Sequence, residues 1–510
     1  MRKSLVVCLA GVVALTGCTL GPNYKRPGVD MPGAGSVSKK QAKKQRKALA
    51  SWWTRFDDPT LNHLIKETLH RNLKIAKQVQ VIRQERAALG LANSHLYPSI
   101  SAQAKAARQE LSGNAGISRN GGKHLRYNQF SISGSLSYTL DLFGRLRRAR
   151  QAARAQLLKS AYNKDAIRLT EISDVVTNYV TLRSEQRQIK VTRHTIKTRK
   201  QALKLDKERY KYGDINKLTL LQTRSSLQSA KAQLPTLQKQ MRQTRTALAI
   251  LVGKTPRQIM NRENIGQGNF HDIHIPKLPK VIPSLIINRR PDIRVAEAKL
   301  IAANANVGEA KAKFFPSISL TAMIGPQATH LNRLFDPLSM ASSITGSLTQ
   351  PLLDFGQRSA NLNSKKAQKQ EAIINYRQTL RQAFQSVKKA LIAVRYTRKR
   401  LKSVRSELAD YRQTLKLART RYKAGQTNFF NVLDAQRNVY STQLTLAQAI
   451  SNRFIAIADL YKALGGGWTH KTDSLTPSME KTMQHYDSQS HSASVVKQKS
   501  VRMHAAAQKK

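Results

Sequence analysis

Residues 145–212 contain neither glycine nor proline, and neither do residues 357–424; each run is 68 residues long and rich in Ala, Leu, Gln, Arg and Lys. A segment so long and so free of breakers reads as one continuous helix, about 100 Å in length at ~1.5 Å per residue. Such helices exceed ordinary globular packing and imply a coiled-coil or helical-barrel architecture.

The two runs belong to an internal duplication. "RYKYGDINKLTLLQTRSSL" at Arg209 returns as "RYKAGQTNFFNVLDAQRNV" at Arg421, "YPSIS" at Tyr97 as "FPSIS" at Phe315, and "LDLFGR" at Leu140 as "LLDFGQR" at Leu352. The markers keep one order in both halves. Gly213 and Gly425 follow the long runs and suit helix ends that turn left-handed. A second helical stretch comes next in each copy, residues 214–252 and 426–464, closed by Gly253 and Gly465. The repeated stretch is therefore the tip of a helical hairpin. Leu218, Leu221 and Leu227 in one copy, and Phe430, Leu433 and Val439 in the other, are expected to pack the returning helix on its neighbours. A further helix starts near "RRPDIR", where Pro291 and Asp292 suit a first turn, and runs to Phe314. Two such shorter helices end to end match the length of one long helix.

Between the helices the period changes to two. In "FSISGSLSYTLDL", Phe130, Ile132, Leu136, Tyr138, Leu140 and Leu142 fall on one face, with Ser, Thr and Asp on the other. "PSISLTAMIG" from Pro316 repeats the pattern, and weaker versions cover residues 99–107 and 342–352. Each is near the 9 to 11 residues of a transmembrane strand, although a strand of a soluble sandwich alternates in the same way.

The N-terminus supplies the address. Arg2 and Lys3 precede an apolar run from Leu5 to Leu15, and "LTGC" then places small residues before Cys18, as in a bacterial lipobox that leaves this cysteine lipidated. Cys8 leaves with the signal, so no free thiol remains for a disulfide or a thiolate metal site. At a bacterial envelope, alternating strands cross a membrane only as a closed barrel. Four strands cannot close one, so the barrel must be shared between chains.

Lipobox, twofold repeat, two strand pairs and long hairpins together resemble the outer-membrane efflux protein family, TolC-like, in its lipoprotein (NodT-like) branch serving RND-type multidrug efflux pumps. The marks are "CTLGPNYKRP", "RRPDIR", "FFPSISLT", "LLDFGQR" and "NVLDAQRNVYS", over roughly residues 18–467. The resemblance implies a mainly α chain with a transmembrane β portion, which forms a homotrimer with a 12-stranded outer-membrane barrel continued by a periplasmic α-helical barrel. Strand arithmetic alone also permits a dimer. The implied partners are a periplasmic adaptor protein, an inner-membrane RND-type transporter and outer-membrane lipid. The implied role is passive conduction of drugs or other small molecules, with no cofactor and no enzymatic step. A type I secretion duct and a non-conducting periplasmic scaffold are the alternatives. The family narrows its periplasmic end with an acidic ring, which carries over to Asp434 and Asn431, with Tyr422 and Thr427 in the same constriction. Asn431 stands where relatives are usually acidic, and the first copy has Thr219 and Gln222 instead. The tips, with Gly213, Gly425, Arg209, Tyr210 and Arg421, are expected to dock the adaptor.

These readings divide the chain into a signal peptide (1–17), a lipidated linker (18–59), a first repeat (60–253, strand pair 97–142, hairpin 145–252), an equatorial connection (254–290), a second repeat (291–467, strand pair 315–354, hairpin 357–464) and a disordered polar tail (468–510).

Other chemistries find little support. His271 and His274 lack a third metal ligand nearby, and "GGKH" near Gly121 and "GGG" at Gly465 lack the Gly-Lys-Ser/Thr ending of a phosphate loop. The chain carries 88 Lys and Arg against 29 Asp and Glu, a net charge of +59. Secretion argues against nucleic acid as the partner of runs such as "KKQAKKQRK" at Lys39 and "RYTRKRLK" at Arg395. Lipopolysaccharide, acidic protein faces and an acidic habitat remain as reasons for the charge.

Overall fold

The structure is a computed structural model that describes residues 19–28, 49–111, 125–260, 265 and 289–467. The signal segment, Cys18, the loop around Gly121, His271, His274, most of the expected equatorial connection and the polar tail lie outside the described residues. The elements are a 3-10 turn Trp52–Phe56, α1 Pro59–Arg71, α2 Leu73–Ser94, β1 Ser99–Leu111, β2 Leu125–Leu140, α3 Arg145–Lys211, α4 Lys217–Leu251, a short α5 Pro256–Met260, α6 Pro291–Ala312, β3 Ser317–Ala328, β4 Met340–Thr349, α7 Gln357–Lys423 and α8 Phe429–Ala463. Among the described residues no helix is long and apolar enough to cross a membrane.

Each breaker-free run is one helix of 67 residues. Both end in the same two-bond cap: the N–H of Asp214 donates to Arg209 O at 2.8 Å and that of Gly213 to Tyr210 O at 3.1 Å, and Gln426 and Gly425 repeat the pattern on Arg421 and Tyr422. The glycines carry φ of +79° and +70°. The returning helices start three residues later than the sequence pattern implies. Asn216 and Asn428 are their N-caps, accepting from Thr219 N at 2.9 Å and Asn431 N at 3.3 Å.

The chain divides into two compact units, one made of residues 1–28, 82–160 and 296–376, the other of 29–81, 161–295 and 377–510. The second unit holds the main core, where Trp52, Phe56, Leu61, Ile172, Val176, Tyr179, Phe454, Ile457 and Tyr461 pack together. Trp52 stacks on Tyr461 with centroids 5.0 Å apart. Asp58, itself buried, caps α1 through Leu61 N at 3.0 Å and accepts the Tyr179 hydroxyl, which in turn receives Arg183 at 2.6 Å.

Two joints in this unit set helices end to end. Asn72 caps α2 by accepting from Lys74 N, while its amide donates to Leu251 O, the last carbonyl of α4, at 3.0 Å. Gly253 closes α4 so tightly here that a Cβ would lie 2.4 Å from Arg71 O. In the second copy Arg290 donates to Ala463 O at 3.0 Å, pairs with Asp292 at 2.6 Å, and precedes the proline that opens α6. "RRPDIR" is thus a joint between α8 and α6. Of the apolar positions expected to pack the hairpins, Leu227 is buried and Leu433 and Val439 are half-buried, while Leu218, Leu221 and Phe430 are 62%, 48% and 50% exposed in the single chain. Thr223 and Ala230 on α4, and Val432 and Ala435 on α8, are buried alongside them, and such small side chains let long helices approach closely.

A buried carboxyl near α4 gives a pH test. Glu185 accepts Thr244 Oγ1 at 3.1 Å, its second oxygen has no partner, and burial raises its pKa above the ordinary 4.5. A raised carboxyl contributes stability fully below its unfolded pKa and loses it as pH rises through the folded value. Glu185→Gln is therefore expected to raise the urea midpoint at pH 7.5, by about 1 kcal/mol, with the gain vanishing at pH 3.5.

The first unit contains one antiparallel four-stranded sheet in the order β1-β2-β3-β4. Leu142 falls outside β2. Its neighbour Asp141 accepts from Leu146 N and Arg147 N, both at 2.9 Å, and starts α3; Asp354 does the same for α7 through Arg358 N at 3.1 Å. The paired "LDLFGR" and "LLDFGQR" motifs are therefore strand-to-helix corners. Gly325 permits close pairing, since a Cβ there would lie 2.0 Å from Ile132 O, whereas one at Gly346 would meet nothing. Gly325→Ala is expected to abolish the folded barrel and Gly346→Ala to leave it intact, as read by heat-modifiable mobility on a gel.

Candidate conduit surface and hairpin tips

Register turns the two-residue alternation of single strands into two continuous faces. Ile100 pairs with Leu136, Leu136 with Ala322, and Ala322 with Ile344, so the apolar sides join across all four strands. Ser101 pairs with Ser135, Ser137 with Thr321, and Thr321 with Thr345, so the hydroxyl sides join as well. The Ser101 and Ser135 hydroxyls bond each other at 2.8 Å. Among the described residues nothing covers the apolar face: Ile100 and Ile344 are each 80% exposed and Leu348 67%. An outward apolar band and an inward polar face are what a membrane-embedded β-barrel wall presents.

Just below the sheet, in the same unit, the segment that follows Cys18 is clamped. Arg148 donates to Leu20 O at 3.0 Å and to Gly21 O at 3.1 Å, and Asn304 donates to Pro22 O at 2.7 Å. Arg26 embraces the Glu297 carboxylate with bonds of 2.7 and 2.8 Å. Gly21 lies against Gly308 so closely that a Cβ would come within 2.5 Å of its Cα. Leu20, Gly21, Pro22 and Arg26 of "CTLGPNYKRP" are held by these contacts, which a sequence cannot display because the partners lie over 120 positions away.

At the tips, the structure brings most of the expected residues together. Asn431 Nδ2 donates to Thr427 Oγ1 at 2.6 Å, and Asn438 Nδ2 donates to Asp434 at 3.0 Å. The Tyr422 ring lies 5.1 Å from Phe429, and Arg209 donates to the Tyr422 hydroxyl at 3.3 Å, tying the first hairpin to the second. Tyr210 and Arg421 stay exposed and make none of these bonds. Asn216, Asn428 and Phe429 were not singled out from the sequence. An Asn three residues ahead of Thr219 or Asn431, at a helix start, is the signal that finds the first two.

An uncovered two-faced sheet and two hairpins of 67-residue helices define a subunit of an outer-membrane channel. The chain belongs to the outer membrane efflux protein family, whose pattern matches residues 64–254 and 282–466. Over 469 residues it is 30% identical to the cation efflux system protein CusC of Escherichia coli O6:H1, covering 91% of this chain and 99% of that one. It is 31% identical over 476 residues to the toluene efflux pump outer membrane protein TtgF of Pseudomonas putida, at 91% and 97% coverage. The CmeC outer membrane channel of Campylobacter jejuni superposes with a TM-score of 0.82 at 27% identity, covering 91% of this chain and 99% of that chain. The protein is an outer-membrane efflux channel, and its fold is that of the TolC-like channels.

Proposed function

We propose that three copies of this chain close one 12-stranded barrel and continue below it as a helical duct, lipid-anchored at Cys18. The duct takes small molecules from an inner-membrane RND-type transporter through a periplasmic adaptor seated at the Gly213 and Gly425 tips. The observation that carries this reading is the four-stranded sheet with one hydroxyl face and one uncovered apolar face. Four such strands leave two open edges, and repetition of the sheet around an axis removes them.

In this reading Asp434 supplies the periplasmic constriction with its single ring of carboxylates, flanked by Asn431, Thr427 and Tyr422. The hydrogen bonds from Asn438 to Asp434 and from Asn431 to Thr427 hold those side chains along α8. The duct performs no covalent chemistry, and energy comes from the transporter.

Single-particle imaging of the detergent-extracted protein, with conductance in planar bilayers, tests the reading. A threefold cylinder that conducts is the expected result. A slender rod without conductance would establish the scaffold instead.

A further inference from the structure

The charge of this chain is not spread evenly over the hairpins. On α8, Asn431, Asp434, Asn438, Ser441, Thr445 and Gln448 recur at alternating spacings of three and four. Their equivalents on α4 are Thr219, Gln222, Ser226, Ser229, Gln233 and Thr236. Such spacing keeps a lane on one side of a helix over several turns. Every one of these positions is exposed or half-buried. In a chain with 88 Lys and Arg, the only charge among them is Asp434.

Helix α4 shows where the charge goes. It has no acidic residue, and Lys217, Arg224 and Lys231 recur every seven residues. At ~100° per residue this basic stripe lies about 180° from the polar lane. The lane on α8 is bordered by the buried Val432, Ala435 and Thr442 on one side, and on the other by the exposed Arg437 and then by Leu433, Tyr440 and Ala447. A helix in a closed ring has neighbours left and right, so only its inner and outer faces stay free. One free face is therefore hydrogen-bonding, with Asp434 and the exposed Arg437 one turn further on as its opposed charges on α8, and the opposite one is basic on α4. The α8 lane is also internally tied, with Ser441 donating to Asn438 O at 3.1 Å, Thr445 to Ser441 O at 3.0 Å and Gln448 bonded to Asn452 at 3.0 Å.

We propose that the paired polar lanes are the permeation surface of the helical duct and that they suit uncharged and zwitterionic solutes. This rests on the duct reading above. Lysines around a narrow lumen would hold anionic solutes and expel cations, whereas hydroxyls and amides offer transient hydrogen bonds to any polar group that passes. The lane offers no thiolate, thioether or imidazole to a soft metal cation. The polar face of the sheet, rich in Ser and Thr, has the same hydrogen-bonding chemistry. The large net charge then belongs to the outer wall.

Planar-bilayer recording of the full lipidated protein tests this. The wild-type channel is expected to discriminate weakly between potassium and chloride, because Asp434 and the neighbouring Arg437 offset each other on α8. Strong chloride selectivity would place the basic stripe in the lumen and overturn the proposal. Ser229→Cys and Ser441→Cys are then labelled with a cationic methanethiosulfonate, which forms a mixed disulfide and releases sulfinate, and Lys231→Cys serves as the outer-face comparison. In the lane variants the label is expected to raise the chloride-to-potassium permeability ratio about threefold within one recording, because charges within a Debye length of the ions act strongly on them. At Lys231→Cys it is expected to change little. Comparing each channel before and after labelling removes any question of misfolding. A conducting channel whose lane thiols are inert or silent, or in which only Lys231→Cys responds, overturns the lane and spares the duct. Absence of conductance in every variant overturns the duct itself, and the lane with it.

Discussion

Gly213→Val combined with Gly425→Val yields a channel that reaches the outer membrane in normal amount and supports no efflux. Both residues sit at positive φ inside the caps that end α3 and α7. An L-residue there costs about 1–2 kcal/mol per site, more when β-branched, so the caps rearrange. A Cβ at either position would meet no atom within 4 Å, so nothing in the helical packing is pushed apart and assembly is spared. What changes is the shape of the two tips, which the proposed function seats against an adaptor. Drug tolerance should fall to that of a strain lacking the protein, with trimer yield unchanged. Gly213→Asn with Gly425→Asn should retain efflux, since asparagine tolerates the left-handed region. Wild-type tolerance in the valine variant would remove the tips from the docking surface.

The second large effect is expected at Trp52. Its ring is fully buried, stacks on Tyr461 and packs edge-on to Phe56 at 5.9 Å. Trp52→Ala leaves a cavity in the main core and should lower stability by about 3–5 kcal/mol, seen as a lower urea midpoint by helical circular dichroism. Trp52→Phe should cost much less, within about 1.5 kcal/mol. The indole Nε1 has no hydrogen-bond partner among the described residues, so its removal relieves a desolvated donor even as some contact area is lost. Equal losses in both variants would mean that the indole nitrogen has a partner of its own. The turn containing Trp52 also joins the end of the linker to the end of α8, through Gly467 N donating to Leu49 O at 2.8 Å. Weakening it should expose the Leu49–Gly467 junction to protease before the hairpins unfold.

The charge distribution connects these results to transport. A basic stripe on α4, opposite a polar lane with little net charge, allows a strongly basic chain to conduct without trapping anions. Glu171, Asp58 and Glu297 are buried and committed to Asn72, Tyr179 and Arg26, so several of its few carboxylates serve as internal partners.

Much of this protein was legible in the amino-acid order because its strongest signals are local and periodic. Absence of Gly and Pro over 68 residues sufficed for the long helices, the glycine after each sufficed for the caps, and alternation sufficed for β2 and β3. Helix starts were less legible, because Asn216 and Asn428 compete with the glycines three residues earlier for the role of boundary. The extra reach of β1 to Leu111 was missed because its alternation is weak and its stability comes from pairing with β2. Contacts between distant positions were not legible at all. Arg148 on Leu20, Arg290 on Ala463, Asp58 on Tyr179 and Arg209 on Tyr422 each join positions more than 100 apart, and no local propensity encodes them. The sequence by itself determined the elements, their duplication and the address of the chain, since these depend on short-range sterics and hydrophobic period. Only the tertiary structure decided which strand faces become continuous, which helix ends meet and which seams take small residues, because those depend on register and close approach between segments remote in the chain.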